Sequence, residues 1–236
     1  MTDLSTRLGH RLAWHQALHD PDVDDRNTAR WLPEVRRWQA SRLRDSYLHL
    51  LDDPARRPAT EFFLGDVSGD RDFTRRDADI ARVLPTMRRL LPDKLLDTVA
   101  DTIELGALSH ALDLHMTTAL ETLAPRRRKL DAALYAEAYR AVGRAPLRRR
   151  QVRLLGNVGR GFSRALTMRG VSALLAFSRG PAKLMGLTEL QGFLERGYAA
   201  FDALDDADAF VSEIQQHEGT GSLRLFAGHP APFVAN

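Results

Sequence analysis

Apolar residues recur three and four positions apart along nearly the whole chain, and strand-like alternation over four or more residues is hard to find. The pattern predicts an all-α protein. From about Asn27, the residues Trp31, Val35, Trp38, Leu43, Tyr47 and Leu50 predict one long helix that ends before Pro54, with Pro33 tolerated in its first turns. Thr60 suits the start of a brief helix through Val67, with Gly65 and Gly69 around its end. Thr74 and Asp77 have capping-box spacing ahead of Ile80, Val83, Met87, Leu90 and Leu91, and Pro85 should kink that helix.

Further helices are predicted over about 94–123 and 127–142, the second stopped by Gly143. Pro146 opens the next, which passes Phe162. A shorter one covers 171–178, closed by Gly180 and Pro181, and Thr188 with Gln191 signals another through Phe193, Phe201 and Leu204. The last covers about 207–217. The sum is a single compact array of eight or nine helices, orthogonal or bundle-like, over residues 1–218. Three glycines and two prolines predict an irregular tail over 219–236.

With 236 residues the chain is long enough to bury one substantial core, and with no cysteine it needs no staple and offers no thiolate. The first 20 residues lack an apolar stretch of signal-peptide length, and no run approaches the roughly 20 apolar residues of a spanning helix. A cytoplasmic location is expected. The net charge of +3 hides a segregation. Residues 126–183 hold 15 lysines and arginines against Asp131 and Glu137, a net of +13, while the segments before and after carry −4 and −6.

Two segments, 61–82 (EFFLGDVSGDRDFTRRDADIAR) and 179–201 (RGPAKLMGLTELQGFLERGYAAF), resemble an uncharacterised family of bacterial all-helical cytoplasmic proteins. The shared pattern in the first is FF-x-x-D-x-x-G-x-x-DF-x-x-RD. This chain departs from it at Ser68 and Asp70, where the family has a tyrosine and a proline. The resemblance implies an all-helical fold and supplies no activity or catalytic residues.

At about 100° per residue, Arg149, Arg153, Arg160 and Arg164 fall within roughly 60° of one another on one helix face. Leu154, Leu155, Val158, Phe162 and Leu166 lie opposite. The ridge, about 22 Å long, is suited to a row of oxyanions because each guanidinium offers paired donors. Left unused, it is a solvated face, or it pairs with Asp202, Asp205, Asp206 and Asp208. The apolar residues between 154 and 187 also admit a helix lying on an anionic membrane surface.

Glu104, His110, Asp113 and His115 are of the types that build iron and manganese sites in helical bundles. His115 points about 160° away from Asp113, so one helix cannot present all four. A site would need ligands such as Glu61, Asp66 or His49 from other helices. His15 and His19 have chelating spacing, but no following glutamate or third histidine stands at a protease-like position, and beside Asp20 and Asp22 they read as solvated. The acidic cluster Asp66, Asp70, Asp72 and Asp77 reads as a salt-bridged loop, since its spacing is not that of a calcium loop.

The glycines of 155–162 (LGNVGRGF) lack the Gly-Lys-Ser/Thr of a phosphate-binding loop, and no serine sits in a nucleophile elbow. The sequence therefore points to a non-catalytic binding or adaptor domain without a cofactor. Its basic middle region, through Arg149, Arg153, Arg160 and Arg164, would meet an acidic protein, nucleic acid or anionic lipid headgroup. The alternative is an oxidoreductase-like bundle enzyme with iron or manganese on Glu61, Glu104, His110 and Asp113.

Overall fold

The computed structural model describes residues 4–67, 93–184 and 188–234. Their order is α1 (Leu4–His19), a 3-10 turn (Asp25–Thr28), α2 (Trp31–Ser46), α3 (Leu48–Leu51), and α4 (Arg57–Phe62), which runs into a π-helical turn (Phe63–Val67). Then follow α5 (Asp93–Leu123), α6 (Ala132–Val142), α7 (Ala145–Thr167), α8 (Val171–Leu184), α9 (Thr188–Asp202) and α10 (Ala207–Phe226). No strand occurs among the described residues, and the fold is all-α. No described helix is long and apolar enough to cross a membrane. The helix expected over residues 74–91, with its kink at Pro85, lies outside the described residues.

The 31-residue α5 organises the array, with α1, α2, α6 and α7 all packed along it. Its buried positions serve two apolar clusters. Leu105, Leu108 and Leu112 join Tyr47, Phe62, Phe63, Val158, Phe162, Phe193, Phe201, Phe210 and Ile214 in one. Met116, Leu120 and Ala124 join Trp31, Val35, Leu134, Tyr135, Ala138, Tyr139 and Leu225 in the other.

Close packing explains the glycine-rich stretch of α7. A β-carbon at Gly159 would stand 2.5 Å from Val211 of α10, and one at Gly161 would stand 2.2 Å from Thr98 of α5. Only hydrogen fits there, so these glycines set helix–helix distance.

Caps follow local chemistry. The Asp131 carboxylate accepts from the Leu134 N–H (2.9 Å) and Asp206 from that of Ala209 (2.8 Å), which satisfies donors at the starts of α6 and α10. Because Asp131 supplies the cap, α6 begins later than the expected 127. Gly143 ends it at φ +67°, and Arg144 follows at φ +54°, a left-handed residue that reverses the chain into α7.

Other boundaries also differ from the pattern-based expectation. The long helix expected over 27–53 is divided at Tyr47, whose fully buried hydroxyl is drawn to Glu218 at 2.9 Å. Helix α8 continues through Gly180 and Pro181 to Leu184. Cross-links to α9 hold it, with Gln191 donating to the Leu175 carbonyl (2.7 Å) and Arg179 pairing with Glu195 (2.6 Å). Helix α10 continues past residue 218 to Phe226, so the irregular part begins later than residue 219. Its Gly221 is buried where the returning tail crosses, and a β-carbon there would touch Phe233 at 3.4 Å.

A candidate binding cavity between the two cores

Between the two clusters the helices leave a cavity of about 520 Å³, within the ordinary range for small-molecule sites. At about 30 Å³ per water it is worth roughly seventeen waters, far more than a local bridging network. Each wall is a stripe at helical spacing. Helix α2 gives Leu32, Arg36, Gln39 and Leu43, and α5 gives Leu105, Ser109, His110 and Asp113. Helix α7 gives Arg148, Gln151, Val152 and Leu155, α6 gives Tyr135 and Tyr139, and α10 gives Glu218, Ser222 and Leu225. His19 and Phe233 add two more rings.

Three arginines and two carboxylates line this space, and the arginines are treated differently. Arg42 donates to Glu218 at 2.6 Å, Tyr47 donates to the same oxygen at 2.9 Å, and the guanidinium lies over the Phe233 ring at 4.7 Å. Burial alone would raise the Glu218 pKa, yet Arg42 and the Tyr47 hydroxyl hold it below the usual carboxylate range. Burial and then the Glu218 charge push the Tyr47 phenol well up. This charge pair is matched within the protein.

Arg36 donates to His110 Nδ1 at 3.0 Å, which obliges that nitrogen to accept and the ring to be neutral. His110 Nε2–H then donates to Asn27 Oδ1 (2.8 Å) and the Leu18 carbonyl (3.1 Å). Asn27 in turn donates to Leu18 and Asp24 carbonyls, which fixes its amide orientation. His110 is 3% exposed, and burial, His19 and Arg36 together push its pKa down to about 3. The ring ends a stack, with His15 over His19 at 4.2 Å and His19 over His110 at 3.9 Å.

Arg148 is different. It is 5% exposed, its Nη1 donates to Gln151 Oε1 at 3.2 Å, and its guanidinium lies 4.5 Å from the Tyr139 ring centre. Gln151 is held by its own donation to Ser109 (2.8 Å), and the Tyr139 hydroxyl meets Ser222 at 2.7 Å. Arg148 Nη2 has no hydrogen-bond partner, and no carboxylate of the described residues pairs with this guanidinium. A buried cation without a counter-charge is costly, and Arg148 leaves the lining with a positive charge that no described carboxylate matches.

The residues singled out from the sequence are distributed differently. Arg149, Arg153 and Arg164 are exposed on the outer face of α7, while Arg160 is half-buried and donates to Gln215 (3.0 Å) and Asn157 (3.2 Å). The four metal candidates are not brought together. Glu61 is exposed on α4, and Glu104 is shared by Arg11 (2.6 Å) and Arg150. Both nitrogens of His110 are used, and Asp113 accepts from Gln39 at 2.8 Å. Among the described residues no three such side chains are placed to share a cation. Asp66 is salt-bridged, to Arg196 at 2.7 Å, and Asp70, Asp72 and Asp77 lie outside the described residues.

Sequence reasoning passed over Arg36, Arg42 and Arg148. The available signal was polar residues at three- and four-residue spacing on helix faces that are otherwise apolar, most visibly Leu32, Arg36, Gln39 and Leu43. No curated protein and no solved structure matches the chain. One family model does match, over residues 18–232, a span that takes in every cavity-lining residue except Phe233. The chain therefore belongs to the family described as a domain of unknown function, DUF8198.

Proposed function

We propose that this domain binds a small organic anion in the cavity between its two cores, with Arg148 as the anchoring charge. The observation that carries the proposal is the buried Arg148 guanidinium with a free Nη2 and no described carboxylate beside it. Arg148 belongs to the basic middle region, so the binding reading from the sequence is kept, with its seat moved from the outer face of α7 to the inner.

The test is a thermal-shift panel of small carboxylates and phosphate esters on the wild type and Arg148→Met. A ligand at a hundred times its Kd stabilises by about 2.7 kcal/mol, which raises Tm by roughly 5–10 °C in a protein of this size. Such a rise should be seen in the wild type and be absent in the variant. The unliganded variant should be at least as stable as the wild type, since removing an unmatched buried charge in favour of an apolar chain relieves its desolvation. No shift with any anion, or a variant that unfolds, would make Arg148 a structural residue and end the proposal.

A second reading rests on the exposure of Arg149, Arg153 and Arg164, which carry no ion pair among the described residues. They support binding of a polyanion across the outer face of α7. Affinity for a short nucleic acid or heparin fragment would then fall steeply with salt, and Arg153→Gln would flatten that dependence.

A further inference from the structure

The cavity also carries information about which anion it takes, an inference that rests on the binding reading above. A second donor lines the same cavity as Arg148. Tyr135 is 3% exposed, lines the cavity, and its hydroxyl donates to no described group, although the ring stacks on Trp38 at 3.9 Å. Burial pushes its pKa up to about 12, against the pull of the Arg148 and Arg42 charges, so it stays protonated and able to donate.

The backbone adds little. Most of the wall is helix interior, where N–H groups are already bonded, and at the start of α7 the Leu147 and Arg148 N–H groups donate to the Arg144 carbonyl (2.9 and 3.1 Å). The start of α7, the helix that carries Arg148, therefore offers no free pair of N–H groups of the kind that cradles a phosphate. Charge points the same way. Three arginines against two carboxylates with a neutral His110 leave one positive charge for the ligand to match. A phosphate monoester brings about 1.5 to 2 negative charges at pH 7 and three oxygens needing donors. Leu43, Phe63, Leu105, Leu155 and Phe233 supply the remaining surface.

We propose that the ligand is a monocarboxylic acid with an apolar body, its two oxygens received by the Arg148 guanidinium and the Tyr135 hydroxyl and its body laid against the apolar wall. Isothermal titration of the full chain would use benzoate, phenylacetate, cinnamate, indole-3-acetate and octanoate, each beside its primary amide, together with phenyl phosphate. At least one acid should bind tenfold or more tighter than its amide and than phenyl phosphate. Arg148→Lys should weaken it at least tenfold, and Tyr135→Phe, which keeps the ring and its stacking, by three- to tenfold. Comparison of octanoate with the aryl acids separates a lipid-derived ligand from an aromatic one.

Tighter, Arg148-dependent binding of phenyl phosphate would overturn the carboxylate assignment and leave the anion-binding reading standing. Binding unchanged in Tyr135→Phe would refute the two-donor arrangement. No Arg148-dependent binding of any probe would overturn both.

Discussion

Lowering the pH from 7.5 to 5 should destabilise this protein through His110 before any carboxylate is protonated. The folded ring holds its pKa near 3 because it is buried beside Arg36 and His19, whereas the unfolded ring titrates near 6.5. With the folded value depressed, the full stability is present above pH 6.5 and is lost as the pH falls towards 3. At pH 5 the unfolded ring is protonated roughly thirty to one and the folded ring hardly at all, which costs about 2 kcal/mol. That figure depends on the unfolded value and barely on the folded one, so long as the latter is below about 4. His115 and His217 are also depressed, by burial first, and act in the same direction. The comparison is therefore with His110→Gln, whose amide can still accept from Arg36 and donate to Asn27. Urea unfolding followed by circular dichroism at both pH values should show the wild type losing about 2 kcal/mol more than the variant, or roughly 4–8 °C in Tm. An equal loss in both proteins would refute the neutral, buried assignment of His110 and with it the direction of the Arg36 hydrogen bond.

Three further outcomes are expected. Gly197→Ala should destabilise by about 1–3 kcal/mol in urea unfolding, because its β-carbon would lie 2.5 Å from the Phe162 ring and 2.7 Å from that of Phe62. Gly9→Ala, in open space on α1, should gain about 0.5–1 kcal/mol by the same measurement. Glu104→Ala should cost about 1–3 kcal/mol, below the range for a fully buried pair because Arg150 is half-exposed and can rehydrate. Glu104→Gln should recover part of that loss.

The helical class was legible because burial imposes a 3.6-residue period wherever a helix packs, and helices such as α5 and α10 show it plainly. Boundaries were less legible where a distant residue decides them. Tyr47 interrupts an apolar pattern that reads as continuous, and the partner of its hydroxyl, Glu218, lies far along the chain. Gly221 reads as a helix breaker until the tail that packs on it is known. The cavity was less legible for a related cause. A helical wheel shows that Arg149 and Arg153 share a face, but not that the adjacent Arg148 turns inward onto Tyr139. Residue type alone made Glu104 and His110 metal candidates, while their neighbours Arg11, Arg150 and Arg36 come from other helices.

The bond from Arg42 to Glu218 joins positions 176 residues apart. The cavity wall that this pair completes has a very high contact order, so its formation is deferred until α2 and α10 have both docked. A fragment retaining α5 to α7 alone would keep Arg148 and Tyr135 yet lack the cavity walls that α2 and α10 supply. The cavity is thus a property of the finished topology, complete only once α2 and α10 stand together against α5 to α7.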